Sequence, residues 1–166
     1  LAPFSFFSGV GGGLLSPAIG PLGDTLKDTS ANLLRTHEAV VHPVSPPEAG
    51  PMNQSPAGLA PTLSEANLLH LPPVASDKLT TPGLAASRAR LECRLHQHIP
   101  ITAPTGGRYD MLILEVVAFH YASTVFSPDS RHIAFDQLDP LARLSGNHYA
   151  SLGKTFTLQR PQDPRR

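Results

Sequence analysis

Apolar and polar residues alternate most clearly from residue 85 onward. In "AASRARLECRLHQHIPI", Ala89, Leu91, Cys93 and Leu95 point one way and Arg88, Arg90, Glu92 and Arg94 the other. That period of two predicts a half-buried strand. "TAPTGGRY" reads as a turn, and "DMLILEVVAFHYAS" as a second long strand ending near Tyr121, so the pair predicts a long antiparallel hairpin. Shorter strands are expected at "APFSFF", weakly over 14–19, at "AVVHPV", at "RHIAF" and finally at "KTFTLQRP". Pro43 cannot donate to a ladder, which confines "AVVHPV" to an edge or a bulge.

The best helical pattern is "DTLKDTSANLLRTHEA". Asp28, Thr29 or Ser30 can cap it, and Leu33, Leu34 and His37 share a face. Residues 45–83 read as an excursion with one short helix near "TLSEANLL", where Ser64 can cap. So long an excursion in one domain often covers a site. The glycines at 9–13 read as a loop.

Composition sharpens the architecture. Eighteen prolines and thirteen glycines in 166 residues break the chain into short elements, favouring strands and turns over a helical bundle. The length suits one domain over residues 1–166. Formal charge is zero with no basic stripe, which argues against a nucleic-acid surface. The first twenty residues are apolar or small, but prolines and glycines interrupt them and no basic start precedes them. They suit neither a signal peptide nor a membrane helix. Cys93 is the lone cysteine, compatible with a reducing cytoplasm and read as a buried core thiol.

Several local patterns fail as chemistry. Gly153-Lys154-Thr155 ends like a P-loop, but His148 stands where the first glycine is needed and β-like residues follow. Gly9, Gly11 and Gly13 miss the dinucleotide fingerprint, since Leu14 replaces its third glycine. No Gly-x-Ser-x-Gly elbow exists. His96 and His98 lie two apart on a strand and so on one face, and with His120 could bind a metal, though a polar strand face is the simpler reading. Lys27 before Asp28, Thr29 and Ser30 is either simple capping or an anion site at a helix N-terminus.

Three stretches, in this order, resemble the flavin reductase-like FMN-binding proteins of flavoredoxin type. They are "LAPFSFFSGV", "KDTSANL" and "DPLARLSGNHYASLGKTFTLQRP", with "RLECRL" and "LEVVAFHYA" between them also similar to family segments. The resemblance implies a mainly β fold with a few short helices (β/α+β), an FMN-binding split β-barrel incomplete at its N-terminus. It implies an oxidoreductase passing hydride or electrons from NAD(P)H through FMN to a flavin or other acceptor, as a cytoplasmic homodimer without nucleic acid or membrane. Ala2, Pro3, Phe4, Ser5 and Phe6 would lie along the flavin, and Lys27, Asp28 and Thr29 would hold its phosphate, braced by Asn32. His120, Arg143, Asn147, His148 and Tyr149 would sit near the flavin or its substrate. No side-chain nucleophile is required, because the cofactor carries the chemistry. The chain departs from the family in lacking an N-terminal Pro-Arg-Pro-type strand, in a blurred second strand, and in His42-Pro43 where a central strand carries Asn and an aliphatic residue. Those departures leave a second expectation, a non-catalytic flavin-binding remnant of the same fold.

Overall fold

The computed structural model describes residues 7–21, 23, 25–55, 63–159 and 161. Its frame is the expected hairpin. Strands β6 (Ala89–Thr102) and β7 (Arg108–Tyr121) pair antiparallel along their whole length. The turn closes through Ala103 N–H to the Gly107 carbonyl at 2.8 Å, with Gly106 at φ 90°. β1 (Phe7–Gly11) and β2 (Leu14–Ile19) form a second hairpin, and β2 pairs with β7. Gly11, Gly12 and Gly13 all have positive φ, a conformation that a side chain would strain, so the glycine run makes a tight turn and not an open loop. The expected strand at 2–7 lies outside the described residues except for Phe7.

After helix α1 (Asp28–Thr36), β3 (Glu38–Val41) pairs with the other side of β6. The sheet order is β1-β2-β7-β6-β3. β3 stops before Pro43 and lies at the sheet edge, as a strand losing its ladder donor must. His42-Pro43 therefore does not break a central strand. The core packs Ile19, Leu33, Val41, Leu91, Cys93, Leu112 and Leu114 on one sheet face, with α1 contributing Leu33.

The 45–86 excursion carries a 3-10 turn (Pro46–Glu48), α2 (Ala49–Gln54), α3 (Glu65–Leu68), and the two-residue strands β4 (Pro73–Val74) and β5 (Gly83–Leu84). Ser64 caps α3 by accepting from Asn67 N–H. Beyond β7 come β8 (Phe126–Ser127), β9 (His132–Ile133), α4 (Phe135–Leu138), β10 (Ala142–Arg143) and β11 (Tyr149–Ala150). Ala89, Val125 and Leu138 form a second, smaller core there. Among the described residues the expected final strand does not form: 151–159 is irregular and leaves Phe156 80% and Leu158 79% exposed. Without a neighbouring strand to take its backbone hydrogen bonds, β propensity alone does not form a strand.

Two register shifts correct the alternation. β7 carries one extra residue at Val117 opposite Glu92/Cys93, and β6 one at His96 between Leu95 and Gln97. Cys93 and Leu91 stay in the core, while Glu92, on the opposite face of the strand, is also buried at 1% exposure. His96 sits in the bulge, out of step with His98.

Candidate functional site

A cleft of about 850 Å³ opens against the core face, within the usual range for small-molecule sites. Every residue from Glu38 to Val44 lines it, so it runs round the edge of β3 and reaches both faces of that strand. Pro17, Leu112 and Leu114 contribute from the central strands, Leu33 from α1, and Pro47, Pro51 and Met52 from the excursion. Pro72, Thr81, Pro82 and Leu84 add a wall from the strap over residues 72–86. The proline-rich wall holds its shape at low entropic cost.

Side-chain acceptors fasten that strap. Glu38 Oε2 accepts from Thr80 and Thr81, from both amides at 2.9 Å and both hydroxyls at 2.8 and 3.1 Å. Those bonds, led by the Thr80 hydroxyl, hold its carboxyl below the usual range. Glu92 accepts from Asp77 N–H and Lys78 N–H, each at 2.8 Å, and pairs with His120 Nε2 at 2.6 Å. Burial pushes the Glu92 carboxyl up, but the amides and the imidazole outweigh it and leave it below the ordinary carboxylate range. His42 Nε2 accepts Leu84 N–H at 3.1 Å. Burial first, and the Arg90 charge second, push the His42 imidazole down to about 4. His42 is therefore a neutral ring at pH 7, able to accept that amide.

The cleft collects Thr29, Asn32, Arg143 and Tyr149 out of the residues singled out from sequence. Lys27 and Asp28 stand at the start of α1, both exposed. The helix begins after Lys27 with no side-chain cap, so neither Asp28, Thr29 nor Ser30 caps it as expected. His37 is its left-handed C-cap (φ 58°) and not a member of its apolar face. Ser30 Oγ is buried without a hydrogen-bond partner among the described residues. Asn32 Oδ1 accepts from Arg35 at 3.2 Å, and Tyr149 OH meets Asn53 Oδ1 at 3.5 Å. Asn147 and His148 are exposed in the turn between β10 and β11, and neither they nor His120 line the cleft. Ala2, Pro3, Phe4, Ser5 and Phe6 lie outside the described residues.

His98 Nε2 pairs with Asp110 at 2.7 Å and His120 Nε2 with Glu92, and no group of three candidate metal ligands occurs among the described residues. Glu38, His42 and Glu92 were missed as site-shaping residues. Only the His42-Pro43 departure hinted at one of them.

The chain matches the flavin reductase like domain over residues 5–143. It belongs to that family. It is 39% identical to the uncharacterized protein YwrF of Bacillus subtilis (strain 168), over 96% of this chain and 80% of that protein. Its structure is similar to nitrilotriacetate monooxygenase component B from Bacillus cereus, with TM-score 0.87 and 34% identity over 95% of this chain and 78% of that one. A structure with a split barrel domain from Shewanella frigidimarina NCIMB 400 superposes with TM-score 0.80 at 18% identity, covering 96% of this chain and 78% of that one, a likeness of fold. The fold is thus a mainly β split barrel with a few short helices. Family membership places the protein among flavin-related oxidoreductases. Among the described residues no helix is long and apolar enough to cross a membrane.

Proposed function

We propose that the protein binds FMN in the β3-edge cleft and passes hydride from NAD(P)H through it to a flavin or other small acceptor. The observation that carries this reading is the first turn of α1. It has no side-chain cap, Thr29 faces the cleft, and the Ser30 hydroxyl is buried and unpartnered. A helix N-terminus with unused donors suits a phosphate. The donor set therefore fits the cofactor's anionic end, with Lys27 adding charge, the amides of Asp28 and Thr29 donating, and Asn32 bracing the turn.

Bound FMN would supply the hydride-accepting chemistry. The residues of the chain bind, orient and shield. Leu112, Leu114, Pro17 and Val41 give an apolar floor that excludes water from a flat ring. His42 stays neutral and spends its ring on Leu84, so it shapes the wall without putting charge beside the cofactor. Arg143 and Tyr149 border the opening and would meet the acceptor. His120 would act on the substrate side only indirectly, through Glu92 and the strap. A homodimer is part of this proposal, supported by the exposed Phe119, Phe135, Phe156 and Leu158. The lone thiol, buried, suits a reducing cytoplasm.

The test is titration of the chain with FMN and with riboflavin, read by flavin fluorescence, followed by NAD(P)H oxidation. FMN should bind more tightly than riboflavin. Thr29→Glu should weaken FMN by about tenfold or more and riboflavin far less. Equal affinity for the two flavins would refute the phosphate assignment, and absence of binding would refute the function. Binding without NAD(P)H turnover would establish the non-catalytic flavin-binding alternative.

A further inference from the structure

Arg90 stands opposite His120 across β6 and β7, as direct Cα partners. Directly paired side chains on one sheet face stand about 5 Å apart at Cβ. Glu92, two residues along β6, shares that face and holds His120 Nε2 at 2.6 Å. His42, one residue beyond the Val41–Leu91 pair, flanks Arg90 from β3. This is the face opposite Cys93 and Leu112, and the strap crosses over it.

The groups around Arg90 are committed. Glu92 takes the Asp77 and Lys78 amides as well as His120. His42 takes the Leu84 amide. Arg94 donates to the Lys78 carbonyl at 3.1 Å, and Asp77 and Lys78 point their own side chains to solvent. Arg90 differs. It is half-buried, yet its guanidinium has no hydrogen-bond or ion-pair partner among the described residues. Its stem is held from above, because a Cβ at Gly83 would meet Arg90 Cδ at 2.8 Å and His42 Nε2 at 3.5 Å. A guanidinium positioned by packing, with its donor fork unspent, is preorganised for an oxyanion.

We propose that Arg90 and His120, roofed by Gly83 and the strap, form a second anion site for a phosphate or carboxylate group of a small-molecule ligand other than the flavin. Arg90 would donate its fork, and His120, whose Nε2–H is given to Glu92, would bind the anion as imidazolium, donating its Nδ1–H. The negative charge of Glu92 is spent on two amides and an imidazole, so it opposes the anion less than a free carboxylate would. Arg90, His120 and Gly83 do not line the cleft, and the site does not depend on flavin occupying it.

The experiment titrates the full chain with inorganic phosphate, pyrophosphate and acetate, followed by calorimetry and, for the phosphates, by 31P line broadening. At least one anion should bind with one-to-one stoichiometry. Arg90→Met should weaken it about tenfold or more, Arg90→Lys less, and Gly83→Ala should weaken it by displacing the Arg90 stem. Preference for the phosphates identifies a phosphate ester as the ligand, and preference for acetate identifies a carboxylate. Circular dichroism establishes that each variant is folded. Should Arg90→Met fail to fold, Arg90→Lys and Gly83→Ala decide. No binding at millimolar anion, or unchanged binding in the folded variants, overturns the proposal. Selective loss of FMN over riboflavin binding in Arg90→Met also overturns it, because the anion would then be the flavin's own phosphate.

Discussion

Glu92→Gln tests whether one buried carboxylate fastens the strap to the sheet. The substitution keeps size and shape but replaces one acceptor oxygen with an amide. Oε1 receives two donors, Asp77 N–H and His120 Nε2, and Oε2 receives Lys78 N–H. Whichever way the new amide turns, its NH₂ faces a backbone N–H about 2.8 Å away, donor against donor. The site is nearly closed to solvent, with Glu92 1% exposed, so water cannot repair the mismatch. Leaving one buried donor unsatisfied costs about 1–3 kcal/mol. For a chain of this size that lowers Tm by roughly 2–10 °C. The assay is urea unfolding at neutral pH, with hydrogen exchange to localise the effect. The Asp77 and Lys78 amides should exchange faster in the variant while the centre of the β6–β7 hairpin is unchanged. The pH dependence has a definite sign. A carboxyl held below its ordinary range in the folded state contributes stability above its unfolded pKa and loses it as pH falls through the folded value. The gap between wild type and Glu92→Gln should therefore shrink towards acid. Equal stability at neutral pH, or a gap that does not change with acidification, would refute the reasoning.

Two further predictions follow from titratable groups. His42, ordinarily near 6.5 and pushed down to about 4, makes the folded state resist protonation that the unfolded chain accepts. Stability is full above the unfolded value and falls between there and about 4, by roughly 3 kcal/mol. Urea midpoints across that window should drop in wild type and flatten in His42→Gln. Burial pushes the Cys93 thiol up to about 12, so it should not react with a thiol reagent in native buffer, and labelling should appear only with unfolding, read by mass spectrometry.

The hairpin at the centre of the fold was legible because its signal is local. Alternation over residues 89–95 and a largely apolar stretch from 111 to 119, interrupted by Glu115, specify two paired strands whatever surrounds them. Helix α1, the β2 strand, the Ser64 cap and the confinement of the Pro43 strand to an edge were legible for the same reason. Each rests on a few neighbouring residues. The family motifs pointed to Thr29, Asn32, Arg143 and Tyr149, which the fold brings to one cleft from α1 and the β10–β11 pair.

Long-range pairing decided the rest. The bulges at Val117 and His96 are absent from any local pattern, yet they put Glu92 with His120 and take His96 out of step with His98. "KTFTLQRP" carries a strand's composition, but residues 154–159 have no neighbouring strand among the described residues and stay irregular. The strap over residues 72–86 has no strong propensity of its own. It is placed by Glu38, His42 and Glu92, which stand 14 to 43 residues away along the chain from the amides they accept. The sequence by itself determined the hairpin, the helix and the family, because those depend on short-range periodicity and ordered motifs. Only the tertiary structure decided which polar side chains became buried acceptors, because that depends on which backbone donors the fold brings to them.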